Sequence, residues 1–147
     1  MSIEDDVALL ERVPTLRLLG RESLRMLAIG SEARDVPRGD FLFQQGDEAD
    51  SGFVVQRGSF VIDDGAGAEM TAGPGALLGE LALVMAMRRP STATALEYST
   101  VIRINRGLFQ RVLESDPAAA RRLRDEFATR TSQIASDILI AGGKLST

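Results

Sequence analysis

Cysteine and histidine are both absent from the chain. Without cysteine there is no disulfide, no thiolate zinc site and no thiol nucleophile. Without histidine the commonest general base, the usual triad base and the commonest metal ligand are gone. Carboxylate, lysine or tyrosine chemistry remains open, but no nucleophile–base pair is evident, so an enzyme is not expected. No window approaches the ~18 uninterrupted apolar residues that mark a membrane span. The opening MSIEDDVALLERVP lacks a basic stretch followed by an apolar run, so no secretory signal is expected. Positive charge is not in excess either: the formal net charge is -4, a poor match to DNA or RNA. These exclusions point to a soluble, cytoplasmic protein that needs neither membrane nor nucleic acid. The 147 residues suit one compact domain, 1–147, with a core large enough to stand without staples.

Three zones separate by periodicity. Residues 1–32 form a helical segment. Val7, Leu9 and Leu10 begin an apolar face, Pro14 interrupts, and a second stretch from about Arg21 to Ile29 carries Leu24, Leu27 and Ala28 at helical spacing. Gly30 is placed to stop it. Residues 33–104 change character. FLF at 41–43, FVV at 53–55, FVI at 60–62, LL at 77–78, TATAL at 92–96 and TVIRI at 100–104 alternate with glycine-rich or acidic turns. Such spacing predicts an all-β sandwich or barrel rather than βαβ units. ELALVMAM at 80–87 interrupts it and reads as a short helical turn. Residues 105–140 are helical again. Asn105 is a helix cap, and Asp116-Pro117 restarts a second, long helix with an acidic cap and proline in its first turn. Leu123, Phe127, Ile134 and Ile138 share one stripe of that helix, with Ala120 at its edge and Arg130 unexpectedly inside it.

The chemistry concentrates in Gly75-Ala76-Leu77-Leu78-Gly79-Glu80-Leu81-Ala82-Leu83 and Arg88-Arg89-Pro90-Ser91-Thr92-Ala93. Gly79 allows close approach of backbone to a ligand. Glu80 opens a helical turn whose first amides, including those of Leu81 and Ala82, are expected to lack intrahelical partners and to favour an anion. Arg89 can fold back over the same anion with paired N–H donors. A carboxylate repels phosphate, so Glu80 is suited to a ligand hydroxyl. A phosphate fused to a sugar with a free hydroxyl satisfies both demands.

This segment resembles the phosphate-binding cassette of the cyclic nucleotide-binding domain family, which includes the catabolite activator protein, regulatory subunits of cyclic-AMP-dependent kinase and cyclic-nucleotide-gated channels. Gly79, Glu80, Leu81, Ala82, Leu83, Arg89, Ser91 and Thr92 fit the family pattern, while Leu78 replaces the usual aromatic. A second match runs from Gly39 to Phe53, with Gly58 in a following turn, so the resemblance covers roughly residues 5–140. It implies a mainly β fold with flanking helices, a double-stranded β-helix (a jelly-roll-like β-roll). N-terminal helices precede the roll, the cassette lies at 78–92, and two C-terminal helices come after it. It further implies that Glu80 holds the ribose 2′-hydroxyl and that Arg89 binds the cyclic phosphate. The Leu81 and Ala82 amides and polar groups near Ser91 and Thr92 would assist. The last helix would act as a lid or hinge. The ligand would be cyclic AMP or cyclic GMP, with no cofactor, no metal and no catalysis.

Pro90 departs from the family, which usually has alanine, serine or threonine there. Proline offers the phosphate neither an N–H nor a hydroxyl, which leans toward cyclic AMP or weaker binding. Plainer readings stand beside these. Glu80 suits a helix N-terminus in any protein, and Arg89 beside Arg88 suits a surface. Gly39, Gly46 and Gly58 are read as turn glycines, and Asp47 and Asp50 as turn caps. The long-helix stripe is read first as a face buried on its own domain, then as a dimer seam or a lid. The whole is read as a stand-alone sensor that engages a protein partner or itself through its C-terminal helices. A nucleotide-independent interaction module on the same fold is the alternative. A transcription factor is not expected, because only a few residues come after Ile140.

Overall fold

A computed structural model describes residues 2–126 and 128. The Ser2 hydroxyl caps α1 (Ile3–Glu11) by accepting from the Asp5 amide at 3.1 Å, with Glu4, Asp5 and Asp6 in the first turn. Pro14 does more than interrupt: it opens α2 (Pro14–Arg17), where its missing N–H costs nothing. Then α3 (Arg21–Gly30) buries Leu24, Leu27 and Ala28. Gly30 ends the helix as expected, though without a positive φ. It is the last helical residue, and a Cβ there would lie 2.7 Å from Leu108 Cδ1, so glycine lets two helices close on each other.

Among the described residues, ten antiparallel strands come next in short pieces: β1 (Glu32–Val36), β2 (Phe41–Phe43), β3 (Glu48–Ala49), β4 (Ser51–Arg57) and β5 (Phe60–Asp63), then β6 (Glu69–Ala72), β7 (Leu77–Leu78), β8 (Met87–Arg88), β9 (Thr92–Ala95) and β10 (Ser99–Asn105). They form two facing four-stranded sheets, β1-β10-β4-β7 and β2-β9-β5-β6, with a small β3-β8 ribbon beside them. This is the mainly β roll with flanking helices that the sequence predicts. Apolar residues divide accordingly. Phe43, Phe53, Val55, Phe60, Ala93 and Val101 fill the space between the sheets. Val54, Ile102 and Ile104 alternate to the other face of β4 and β10 and meet α1, α3 and Phe109.

Two boundaries differ from expectation. The helical reading of 80–87 holds only for a 3₁₀ turn at Glu80–Leu83, and Met87 already pairs with Ala49 in β8. Strands β1 and β6 lie outside the apolar runs that mark strands in the sequence. Both are mostly exposed, so neither shows apolar alternation. Gly39, Gly46 and Gly58 do take positive φ, at 87°, 91° and 89°.

The Asn105 side chain accepts from the Leu108 amide at 2.7 Å and caps α4 (Arg106–Ser115). Asp116 Oδ1 accepts from the Ala119 amide at 3.1 Å, and residues 117–126 are helical. Leu123, the one described member of its stripe, is buried in the helical core. The continuation to Ile140, with Phe127, Arg130, Ile134 and Ile138, lies outside the described residues. Among the described residues no helix is long and apolar enough to cross a membrane.

Candidate functional site

The two sequence motifs meet in space. Strand β7 pairs with β4, setting Leu78 opposite Phe53. The chain then turns at Gly79 into the 3₁₀ helix, whose Leu83 packs on β4 where Gly52 leaves room. After the helix, β8 pairs with β3 and delivers Arg89 beside the Gly46-Asp47 turn. The Arg89 amide donates to the Asp47 carbonyl at 2.7 Å, and the Gly46 amide donates to the Arg89 carbonyl at 2.9 Å. The glycine turn of the upstream motif therefore fixes the backbone of the arginine in the downstream one.

Arg89 is 5 % exposed. Its guanidinium stacks 4.4 Å from the Phe43 ring centroid and 5.5 Å from that of Phe53. Nη2 donates to the Ser51 carbonyl at 2.8 Å. Nη1 is buried and has no hydrogen-bond partner among the described residues. Burial pushes this guanidinium below its usual value, against the Asp50 and Asp47 carboxylates, which favour its charge. An arginine so shifted stays protonated at neutral pH. A buried cation with a spare N–H pointing at no acceptor is costly unless something anionic completes it.

Gly79 is needed here on two counts. Its φ is +77°, in the left-handed region, and a Cβ on it would lie 2.3 Å from Arg89 Nη1. The close approach it permits is to the arginine. Arg89 lines a cavity of ≈ 290 Å³ together with Phe43, Leu77, Gly79, Glu80, Leu81, Met87, Pro90 and Ser91. A second hollow of ≈ 590 Å³ adjoins it and shares Phe43, Leu77, Gly79 and Ser91. Its remaining wall runs along Ile62 and from Met70 to Leu78. A larger hollow of ≈ 720 Å³ sits elsewhere, between Val84 and the helices after the roll. No buried unpartnered side-chain nitrogen or oxygen lies there among the described residues, so it has no comparable demand for a ligand.

Of the residues singled out from the sequence, Gly79, Glu80, Leu81, Arg89, Pro90 and Ser91 surround the smaller cavity. Leu78 is buried against β4 and reaches only the adjoining ≈ 590 Å³ hollow. Ala82 does not line either, and its amide is not free: it donates to the Gly79 carbonyl at 3.1 Å. The turn is 3₁₀ rather than α, and its i→i+3 bond consumes an amide that an α-turn would leave open. Thr92 does not line either, and its hydroxyl accepts from the Gln45 amide at 2.9 Å. Arg88 is exposed and donates to the Gly46 carbonyl at 3.0 Å. Asp47 caps its turn by accepting from the Gln44 amide at 3.0 Å. Asp50 is no turn cap. It accepts from the Ser51 hydroxyl at 3.0 Å and pairs with Arg103 at 3.2 Å.

Several contributors escape a reading of the sequence alone. Phe43 and Phe53 both lie against the guanidinium, and Phe43 is buried although Phe41, two residues earlier, is exposed, because the β2 register shifts between them. The Ser51 carbonyl leaves no signal, being backbone. Thr15, whose hydroxyl donates to Glu80 Oε1 at 2.8 Å, lies too far along the chain for any local pattern.

Residues 33–116 match the cyclic nucleotide-binding domain family. An uncharacterized NTE family protein of Mycobacterium tuberculosis (strain H37Rv) is 33% identical over 135 residues, covering 84% of this chain and 23% of that protein. The cAMP-dependent protein kinase regulatory subunit of Eremothecium gossypii is 33% identical over 111 residues, covering 74% of this chain and 24% of that protein. The chain thus spans about a quarter of these relatives' length. The N-terminal domain of a transcriptional regulator from Streptomyces coelicolor A3(2) superimposes with a TM-score of 0.78 at 29% identity, covering 88% of this chain and 94% of that one. With motif, geometry and relatives in agreement, the chain belongs to the cyclic nucleotide-binding domain family.

Proposed function

We propose that this chain is a regulatory domain that binds a cyclic nucleotide without transforming it, with cyclic AMP preferred over cyclic GMP. The observation that carries the reading is buried Arg89, whose Nη1 has no hydrogen-bond partner among the described residues, lining one ≈ 290 Å³ cavity with Glu80. A cyclic phosphate would complete the arginine's hydrogen bonds, Glu80 would accept the ribose 2′-hydroxyl, and the base would extend into the adjoining ≈ 590 Å³ hollow. The Leu81 amide and Ser91 would assist at the phosphate. Pro90 at the cavity edge lacks the hydroxyl that could favour guanine, which supports the preference for adenine.

The message would leave through the helices after the roll. Arg106, the first residue of α4, donates from Nε to the Ala82 carbonyl at 2.8 Å and from Nη2 to the Ala49 carbonyl. Any shift of the 3₁₀ turn on binding is thereby felt by α4 and by the chain beyond it, where a protein partner or a second copy would read it.

Isothermal titration with cyclic AMP and with cyclic GMP tests the reading. Saturable binding of both, tighter for cyclic AMP, supports it. No heat and no thermal shift at millimolar nucleotide sinks it. A nucleotide-independent interaction module is favoured by one observation: the Ala82 amide and the Thr92 hydroxyl, both expected at the ligand, are satisfied internally. That module would keep its partner when Glu80 and Arg89 are both replaced by alanine, whereas a sensor would lose nucleotide control of it.

A further inference from the structure

Thr15 stands 65 residues from Glu80 in the chain and in contact with it in space. It lies in α2, is 2 % exposed, and donates its hydroxyl to Glu80 Oε1 at 2.8 Å. A buried hydroxyl needs an acceptor, and a helical threonine commonly takes a carbonyl of its own helix. Here it reaches across to the 3₁₀ turn and takes the carboxylate of Glu80, a residue that lines the smaller cavity.

On the reading that Glu80 accepts the ribose hydroxyl, we propose that Thr15 is a positioning residue that fixes the Glu80 carboxylate and so sets the preference for ribose over 2′-deoxyribose. A carboxylate accepts about four hydrogen bonds, so Thr15 and a ligand hydroxyl can share it. Glutamate has three side-chain torsions, and fixing them before the ligand arrives removes that ordering from the cost of binding. The benefit goes only to a ligand that uses the carboxylate. A nucleotide lacking the 2′-hydroxyl gains nothing from it, and Thr15 is thereby a specificity device rather than a general contributor to affinity.

The test titrates the full chain with cyclic AMP and with 2′-deoxy cyclic AMP and takes the ratio of the two affinities. Wild type favours the ribonucleotide. Thr15→Val keeps the shape and removes the hydroxyl, and should cut the ratio at least about fivefold, chiefly by weakening cyclic AMP. Thr15→Ser restores the donor and should hold the ratio within about twofold of wild type. A folded Thr15→Val protein with an unchanged ratio, or one that weakens both ligands equally, overturns the inference and leaves the nucleotide reading intact. Equal affinity of wild type for both ligands also overturns it, because Glu80 is then not the ribose acceptor. Wild type binding neither ligand overturns the proposed function itself. Should Thr15→Val fail to fold, Thr15→Ala against Thr15→Ser decides by the same ratio.

Discussion

A guanidinium taken out of water needs acceptors for five N–H groups, and aromatic rings above it supply none in its plane. Phe43 and Phe53 lie against Arg89 and the Ser51 carbonyl takes Nη2, which leaves Nη1 as the donor that a ligand would complete. Arg89→Ala should therefore cost roughly 2–5 kcal/mol of nucleotide binding, measured by titration. Arg89→Lys should also weaken binding well over tenfold, because a point charge cannot bond Ser51 and phosphate in one plane. Gly79→Ala is expected to lose stability by about 1–2 kcal/mol from its left-handed backbone, and more as the new methyl displaces Nη1. Urea unfolding would read that loss, and titration the accompanying loss of affinity. Asp50 adds a pH dependence. Burial would raise its carboxyl, but the Ser51 hydroxyl and the Arg103 guanidinium outweigh that and hold it below its ordinary value. A depressed carboxylate contributes stability that is present at neutral pH and lost as pH falls below about 4. The group is exposed, so the effect is small, and Asp50→Asn should flatten only the acid limb of a stability–pH curve.

Elements with an apolar face were legible in the sequence. FVV in β4 and TVIRI in β10 name their strands because apolar side chains are buried on both faces of each, between the sheets and against the helices, and Asn105 and Asp116 name their helix starts by chemistry. EARDV in β1 and EMTA in β6 carry almost no buried residue, so only pairing with a neighbour makes them strands. The cassette was legible as residues but not as hydrogen bonds. Whether the Ala82 amide is open depends on 3₁₀ against α geometry, which composition does not encode. At this scale Arg106 is the joint between the 3₁₀ turn and α4. Arg106→Met keeps the aliphatic stem and removes both donors. It should destabilise by about 1–3 kcal/mol, since the Ala82 and Ala49 carbonyls lose their partner. Hydrogen exchange should then show ligand protecting the turn while no longer altering α4.

For the whole molecule, a ligand that binds only the folded state adds its binding energy to stability. At 100 times its dissociation constant a cyclic nucleotide should add about 2.7 kcal/mol, which for a chain this long raises Tm by roughly 5–10 °C. The Arg89→Ala protein should show no such rise at the same concentration. Long-range contacts escape a linear reading for the same reason that they matter here. Thr15 meets Glu80, and Asp47 meets Arg89, only once two sheets and three helices have closed around them.

The most direct measurement tracks the side-chain N–H signals of Arg89 by ¹H–¹⁵N NMR as cyclic AMP is added. Held against Ser51 and two rings, this guanidinium should give resolved signals whose Nη1 protons move downfield and saturate with the ligand. Nucleotide binding that leaves those protons unmoved would place the phosphate elsewhere and contradict the assignment of Arg89 as its anchor.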